Sequence, residues 1–150
     1  MNESLILKRF TKEDIDLLFK WVNEEETRKN SFDSSFVRYE EHIKWCYDKL
    51  LSEAEDIFIV YLENSPVAQL RLRYVKDEAL ISYSIDSDYR GRGLGYRVIE
   101  MIESKHIYRD TCKKLIGKVK KGNIASQKIF ERCEYEKNLE ANCLVYKKKI

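Results

Sequence analysis

Arg90-Gly91-Arg92-Gly93-Leu94-Gly95 holds three of the five glycines of this chain, interleaved with two arginines. A glycine-rich turn that opens a helix leaves backbone N–H groups unpaired and aimed at one point. Such a point binds anions, phosphates above all. Two phosphate motifs do not fit. The dinucleotide fingerprint G-x-G-x-x-G needs a glycine where Tyr96 stands. It also needs an acidic residue about 20 residues on, and that region reads Lys113-Lys114-Leu115. A Walker loop needs Lys-Ser or Lys-Thr after its glycines, and neither pair follows. The spacing that remains is R-x-x-G-x-G, met by Arg90, Gly93 and Gly95.

A strand must lead into such a turn and a helix must leave it. Ala79 to Ile85 reads as the strand, and Leu94, Val98, Met101, Ile102 and Ile107 recur at helical spacing up to about Tyr108. Before them, Ser4 to Phe10 reads as a strand, Thr11 to Asp14 as a helix start, and Ile15, Leu18 and Phe19 as one helical face ending near Trp21. Asn23 to Ser35 is polar and is expected to be irregular. A second helix is expected from Tyr39 to Leu51, with Ile43, Cys46, Tyr47 and Leu50 inward. Asp56–Leu62 and Val67–Tyr74 read as a hairpin around Asn64-Ser65-Pro66, and Asp77-Glu78 as the next turn. Leu115–Val119 is a strand, Ala125–Arg132 a short helix, and Tyr135–Asn138 and Leu144–Lys148 are closing strands. The order β-α-α-β-β-β-α-β-α-β-β predicts a mixed α/β domain, antiparallel in its first half, with one βαβ crossover at the glycine turn.

At 150 residues the chain is expected to form one domain over 1–150. Its 28 basic and 26 acidic residues leave a net charge of +2, which argues against a general nucleic-acid binder. Lys147-Lys148-Lys149 reads as a solvated strand end. Cys46, Cys112, Cys133 and Cys143 form no C-x-x-C pair, and neither His42 nor His106 completes a metal-ligand spacing. Reduced thiols in a cytoplasmic protein without a metal are expected. Met1-Asn2-Glu3-Ser4 shows no signal-peptide pattern, and no apolar run approaches the ~20 residues of a membrane helix.

Ile85 to Gly95 resembles the strand–loop–helix passage of the GNAT acetyltransferase superfamily, and Asn123 followed by Ser126 resembles its second cofactor segment. The element order is similar from end to end. The resemblance implies the GNAT fold with splayed central strands, acetyl-coenzyme A as cosubstrate and a small-molecule amine as acceptor, with a homodimer compatible. The amides of Arg92 to Gly95, with Arg90, Gly91, Gly93 and Leu94, would hold the pyrophosphate, Gly93 and Gly95 permitting close approach. The backbone of Tyr83 and Ile85 would pair with the peptide-like pantetheine arm, which Asn123 and Ser126 would also meet. Gly117 would leave space for the arm or mark a β-bulge. Lys120, Lys121 and Lys128 either meet the outer phosphates or are solvated.

Two usual catalytic groups are absent. The tyrosine of many members, seven residues after the Asn, is Phe130 here, and the glutamate of the histone-acetylating branch, six before Ile85, is Ala79. Ser82, Tyr83 and Ser84 remain as catalytic candidates, with Tyr135 further off, and a mechanism by positioning suits so few acids and bases.

On the acceptor side, Trp21, Asn23, Arg28, His42, Trp45 and Arg71 resemble a subgroup that acetylates amino sugars on nucleotide carriers, of the pseudaminic acid pathway type. An aromatic ring can stack on a sugar or base, and an arginine can hold a diphosphate. Trp21 and Trp45 equally suit a core. The alternatives are a ribosomal-protein or peptide α-amine acceptor, and a coenzyme A-binding module without catalysis.

Overall fold

The computed structural model describes residues 4–150, so Met1, Asn2 and Glu3, where no leader is expected, lie outside the described residues. Seven strands form one mixed sheet in the order β1-β2-β3-β4-β5-β7-β6. They are β1 (Leu5–Arg9), β2 (Glu55–Leu62), β3 (Ser65–Val75), β4 (Glu78–Ile85), β5 (Lys114–Val119), β6 (Glu136–Leu139) and β7 (Leu144–Lys149). The helices are α1 (Ile15–Val22), α2 (Glu25–Asn30), α3 (Tyr39–Leu51), α4 (Leu94–Ser104) and α5 (Ile124–Arg132). All neighbouring strands run antiparallel except β4 and β5, which the α4 crossover makes parallel.

Alternation along the strands divides the core in two. Ile81, Leu115 and Tyr146 meet Val98 and Ile102 of α4 and Phe130 of α5 on one face. Ile57 and Ile59 meet Leu18 and Trp21 of α1 and Cys46 of α3 on the other.

The order matches the expected one with one addition. Residues 25–30, expected to be irregular, form α2. The segment has no apolar residue to give a period, and polar ties to distant parts of the chain hold it. Helix α4 stops at Ser104 rather than near Tyr108. His106 takes a left-handed φ of 48°, its N–H donates to Glu103, and the Ile107 N–H donates to Ile102. Together these close the helix end, with histidine where glycine is usual. Pro66 lies inside β3 rather than in the turn, opposite the irregularity between Val60 and Tyr61, where a missing N–H is tolerated. The turns are Glu63-Asn64 and Lys76-Asp77, each opened by a left-handed residue.

Helix α3 has the expected bounds but is rotated. His42 and Cys46 are buried, whereas Tyr47 and Leu50 are exposed. His42 Nε2 donates to the Ile15 carbonyl at 2.9 Å, which lets a polar ring sit in the core.

Candidate active site

Asp86 follows β4 and organises the turn into α4. Its Oδ1 accepts from the Asp88 N–H at 2.8 Å and its Oδ2 from Trp21 Nε1 at 2.7 Å. Burial opposes its charge, yet these hydrogen bonds, with Lys20 and Arg90 nearby, hold its pKa below the ordinary value. The chain then turns through Gly91 (φ 78°) and Gly93 (φ 74°), both left-handed. Gly93 caps α4 with no side-chain hydrogen bond, so the first-turn N–H groups face outward uncapped. A Cβ at Gly91 or Gly93 would meet nothing within 4 Å, so the turn is open in front. Such an arrangement can cradle an anion.

Gly95 serves a different purpose from the one its spacing suggests. A Cβ there would lie 2.7 Å from Ile129 Cδ1 and 3.6 Å from Tyr83 Cε2, so its lost side chain admits α5 and Tyr83 rather than a ligand. The Leu94 side chain is buried, and only its backbone faces the cradle. Arg90 turns away, with Nη2 donating to Glu24 Oε2 (3.1 Å) and Thr27 Oγ1 (3.3 Å). Arg92 stays exposed over the Tyr89 ring.

Beyond the cradle lies a cleft. Parallel pairing of β4 with β5 covers only Glu78–Ile81 against Lys114–Gly117. The Asp86 N–H donates to the Val67 carbonyl at 2.8 Å. By strand alternation, Ser82 and Ser84 also direct their backbone groups to β3, while Tyr83 and Ile85 direct theirs into the gap. Pairing of β4 with β5 thus stops where the strands are expected to part, and the backbone of Tyr83 and Ile85 faces that gap.

The cleft floor departs from expectation at Gly117. A Cβ there would overlap Phe130 Cζ and lie 2.7 Å from Cε1, so the space belongs to that ring. Tyr83 Oη and Ser126 Oγ share a hydrogen bond of 2.8 Å, tying β4 to α5 beneath the gap. Burial pushes the Tyr83 hydroxyl up to about 12, against the lowering effect of Ser126, so it stays protonated at neutral pH. Asn123 Oδ1 caps α5 by accepting from the Ser126 N–H. Lys120 donates to the Lys29 carbonyl at 3.0 Å and Lys121 to that of Ala141, while Lys128 is exposed. Tyr135 is buried and its hydroxyl has no partner.

On the opposite sheet face, Ser82 and Ser84 stand beside Arg71 and Gln69, each pair joined at 3.4 Å. The Arg71 guanidinium lies 5.5 Å from the Trp45 ring, and Lys49 lies 5.6 Å from it. Lys49 binds Oε1 of buried Glu55 at 2.9 Å, and Oε2 has no partner. Burial lowers the Arg71 pKa, against the raising effect of Glu55. The sequence pointed to Arg71, Gln69 and Trp45 on this side but not to Lys49 or Glu55. An acidic residue opening an apolar strand was the available signal for Glu55.

The other four acceptor candidates are engaged in the scaffold. Trp21 is core, bonded to Asp86. His42 is core, bonded to Ile15. Asn23 exchanges two hydrogen bonds of 2.8 Å with the Val37 backbone. Arg28 donates to the carbonyls of Val22, Asp33 and Ser35 and to Ser31 Oγ. Among the described residues no group of His, Cys, Asp and Glu could hold a metal ion, and no helix is long and apolar enough to cross a membrane.

The family model described as an acetyltransferase (GNAT) domain matches residues 4–136. No curated protein matches the chain. Among solved structures, RimL, a ribosomal α-N-protein acetyltransferase in complex with coenzyme A, superposes with a TM-score of 0.84 at 15% identity, over 99% of this chain and 96% of that one. An aminoglycoside acetyltransferase in complex with coenzyme A gives 0.83 at 13% identity, over 97% and 95%. Spermidine N-acetyltransferase from Vibrio cholerae, with coenzyme A and spermine, gives 0.82 at 15% identity, over 97% and 94%. At these identities the structures share the fold. The family match decides the chemistry: the chain belongs to the GNAT family and is an acetyl-coenzyme A-dependent N-acetyltransferase.

Proposed function

We propose that the chain acetylates the primary amine of an amino sugar carried on a nucleotide. The observation that carries this reading is the pairing of Arg71 with Trp45 beside Ser82, the first β4 residue beyond the β5 ladder. Arg71 is half-buried and makes one long hydrogen bond, to Ser82, so its guanidinium fork is available to an anion. With Lys49 on the same ring and Glu55 the one carboxylate bonded within the group, the charge is net positive. A polycationic amine would be repelled there. A diphosphate is attracted, and the Trp45 face suits a sugar or base.

The cradle and cleft fit acetyl-coenzyme A. The first-turn amides of α4 suit its pyrophosphate and the backbone of Tyr83 and Ile85 its pantetheine arm. When bound, the cosubstrate supplies an activated acetyl thioester. The chain positions the amine from the Trp45 face against it at the head of the splay. Ser82 and Ser84 bond Arg71 and Gln69 rather than a carboxylate or histidine, so water takes the proton released by the amine. Phe130 has no proton to give the departing thiolate. The Tyr83 hydroxyl does, and its raised pKa keeps it in the donor form.

An extended peptide acceptor would need an open groove, and α2 lies across this side of the cleft, tied to both its lips. The test is thiol release from acetyl-coenzyme A against amino-sugar nucleotides, N-terminal peptides and polyamines. Turnover on the first class is expected, and Arg71→Ala should raise KM for that acceptor about tenfold or more. Turnover confined to peptides or polyamines would overturn the reading.

A further inference from the structure

Arg90 lies in the turn that leads from β4 into α4, and Lys120 directly follows β5, so they flank the cleft at its open end. Helix α2 joins them. At its start Glu24 and Thr27 accept from Arg90, and at its end the Lys29 carbonyl accepts from Lys120. The same helix grips the loop beyond it, because Arg28 binds the carbonyls of Asp33 and Ser35. Immediately before α2, Asn23 holds both backbone groups of Val37. The loop 31–38 thus has its shape set by α2, and α2 has its place set by the cleft lips. The Glu24–Arg90 pair is largely shielded, with side chains 11% and 32% exposed, so salt screens it less than a surface pair.

We propose that Glu24 and Lys120 are positioning residues for the acceptor: they pin α2 across the cleft and so hold the 31–38 loop as the wall against which the amine is aligned. Neither residue touches the reacting atoms. Arg90 is part of this brace, which explains why its side chain leaves the cradle. The alignment of the acceptor rests on the function proposed for the site, whereas the brace itself does not.

The test uses Glu24→Gln, Lys120→Met and the conservative Lys120→Arg in the full chain. Amides of 31–38 should exchange with deuterium about tenfold faster in the first two variants, while those of β2 and β3 are unchanged. Calorimetric affinity for acetyl-coenzyme A should stay within about twofold of wild type. With uridine-diphosphate glucosamine as the amine probe, KM should rise about tenfold with kcat held, and Lys120→Arg should restore it. Unchanged loop exchange in both variants overturns the brace. A loss of acetyl-coenzyme A affinity matching the KM change overturns the assignment to the acceptor. If the wild-type chain does not turn over the probe, the nucleotide-sugar reading fails, and loop exchange still decides the brace.

Discussion

Phe130 fills the notch left by Gly117. Its Cζ occupies the place where a Cβ would stand, and the ring stacks on Tyr146 at 5.5 Å with a 14° interplanar angle. The position that supplies a tyrosine hydroxyl in many family members is here a packing position against the β5 backbone. Phe130→Tyr should therefore give no gain in kcat. Its hydroxyl would be driven toward Gly117, at a cost of about 1–3 kcal/mol from overpacking. Urea denaturation alongside turnover checks this, and a faster, equally stable variant would refute it.

Tyr83→Phe keeps the ring under the cleft and removes its bond to Ser126. Ser126 is buried, so its hydroxyl loses a partner, and a loss of about 1–2 kcal/mol in stability is expected. If the Tyr83 hydroxyl also protonates the thiolate, kcat falls with little change in acetyl-coenzyme A affinity. A kcat equal to wild type at every pH would remove Tyr83 from the chemistry and leave it a cleft tie.

Arg28→Lys keeps the charge and loses the fork that reaches four acceptors. One ammonium cannot span Val22, Asp33 and Ser35 together. A loss of about 1–3 kcal/mol is expected, with faster proteolysis between residues 31 and 36. Unaltered cleavage there would show that the loop needs no such anchor.

Asp56 carries a pH dependence. Burial opposes its charge, but Arg109 and Arg9 at 3.2 and 3.0 Å, with Tyr74, prevail and hold the carboxyl below its usual value. A carboxyl lowered on folding stabilises the protein above about pH 4. That contribution is lost as pH falls through the lowered folded value. Asp56→Asn should flatten this part of the acid-denaturation curve, and an unchanged curve would rule Asp56 out as its source.

The parts of the site that depend on backbone spacing were legible in the sequence. The glycine turn, the strand that feeds it and the crossover helix are local patterns, and the splay was implied by the family they resemble. Side-chain roles that depend on distant partners were not. Arg90 looks like a phosphate ligand until Glu24 is brought to it across 66 residues of chain. Gly95 and Gly117 look like room for a ligand until Ile129 and Phe130 occupy that room. His42 looks like an acceptor ligand until α1 offers it a carbonyl. Helix α2 has no apolar period because its ties are polar and come from elsewhere.

Beyond Ser31, the grip of Asn23 and Arg28 on the 31–38 loop falls on backbone. Asn23 and Arg28 hold the Asp33, Ser35 and Val37 peptide groups, while Phe32 and Ser34 are exposed between them and Phe36, 68% exposed, sets its ring edge-on to Phe19. A peptide group is the same whichever residue carries it. Much of the conformation of this segment is thus encoded outside it, the Asp33 carboxylate that accepts from the Ser35 N–H being the local part, and Phe32 and Ser34 can be exchanged without rewriting that code. It is an interchangeable faceplate, and randomising Phe32 and Ser34 changes what it presents while leaving how it is held.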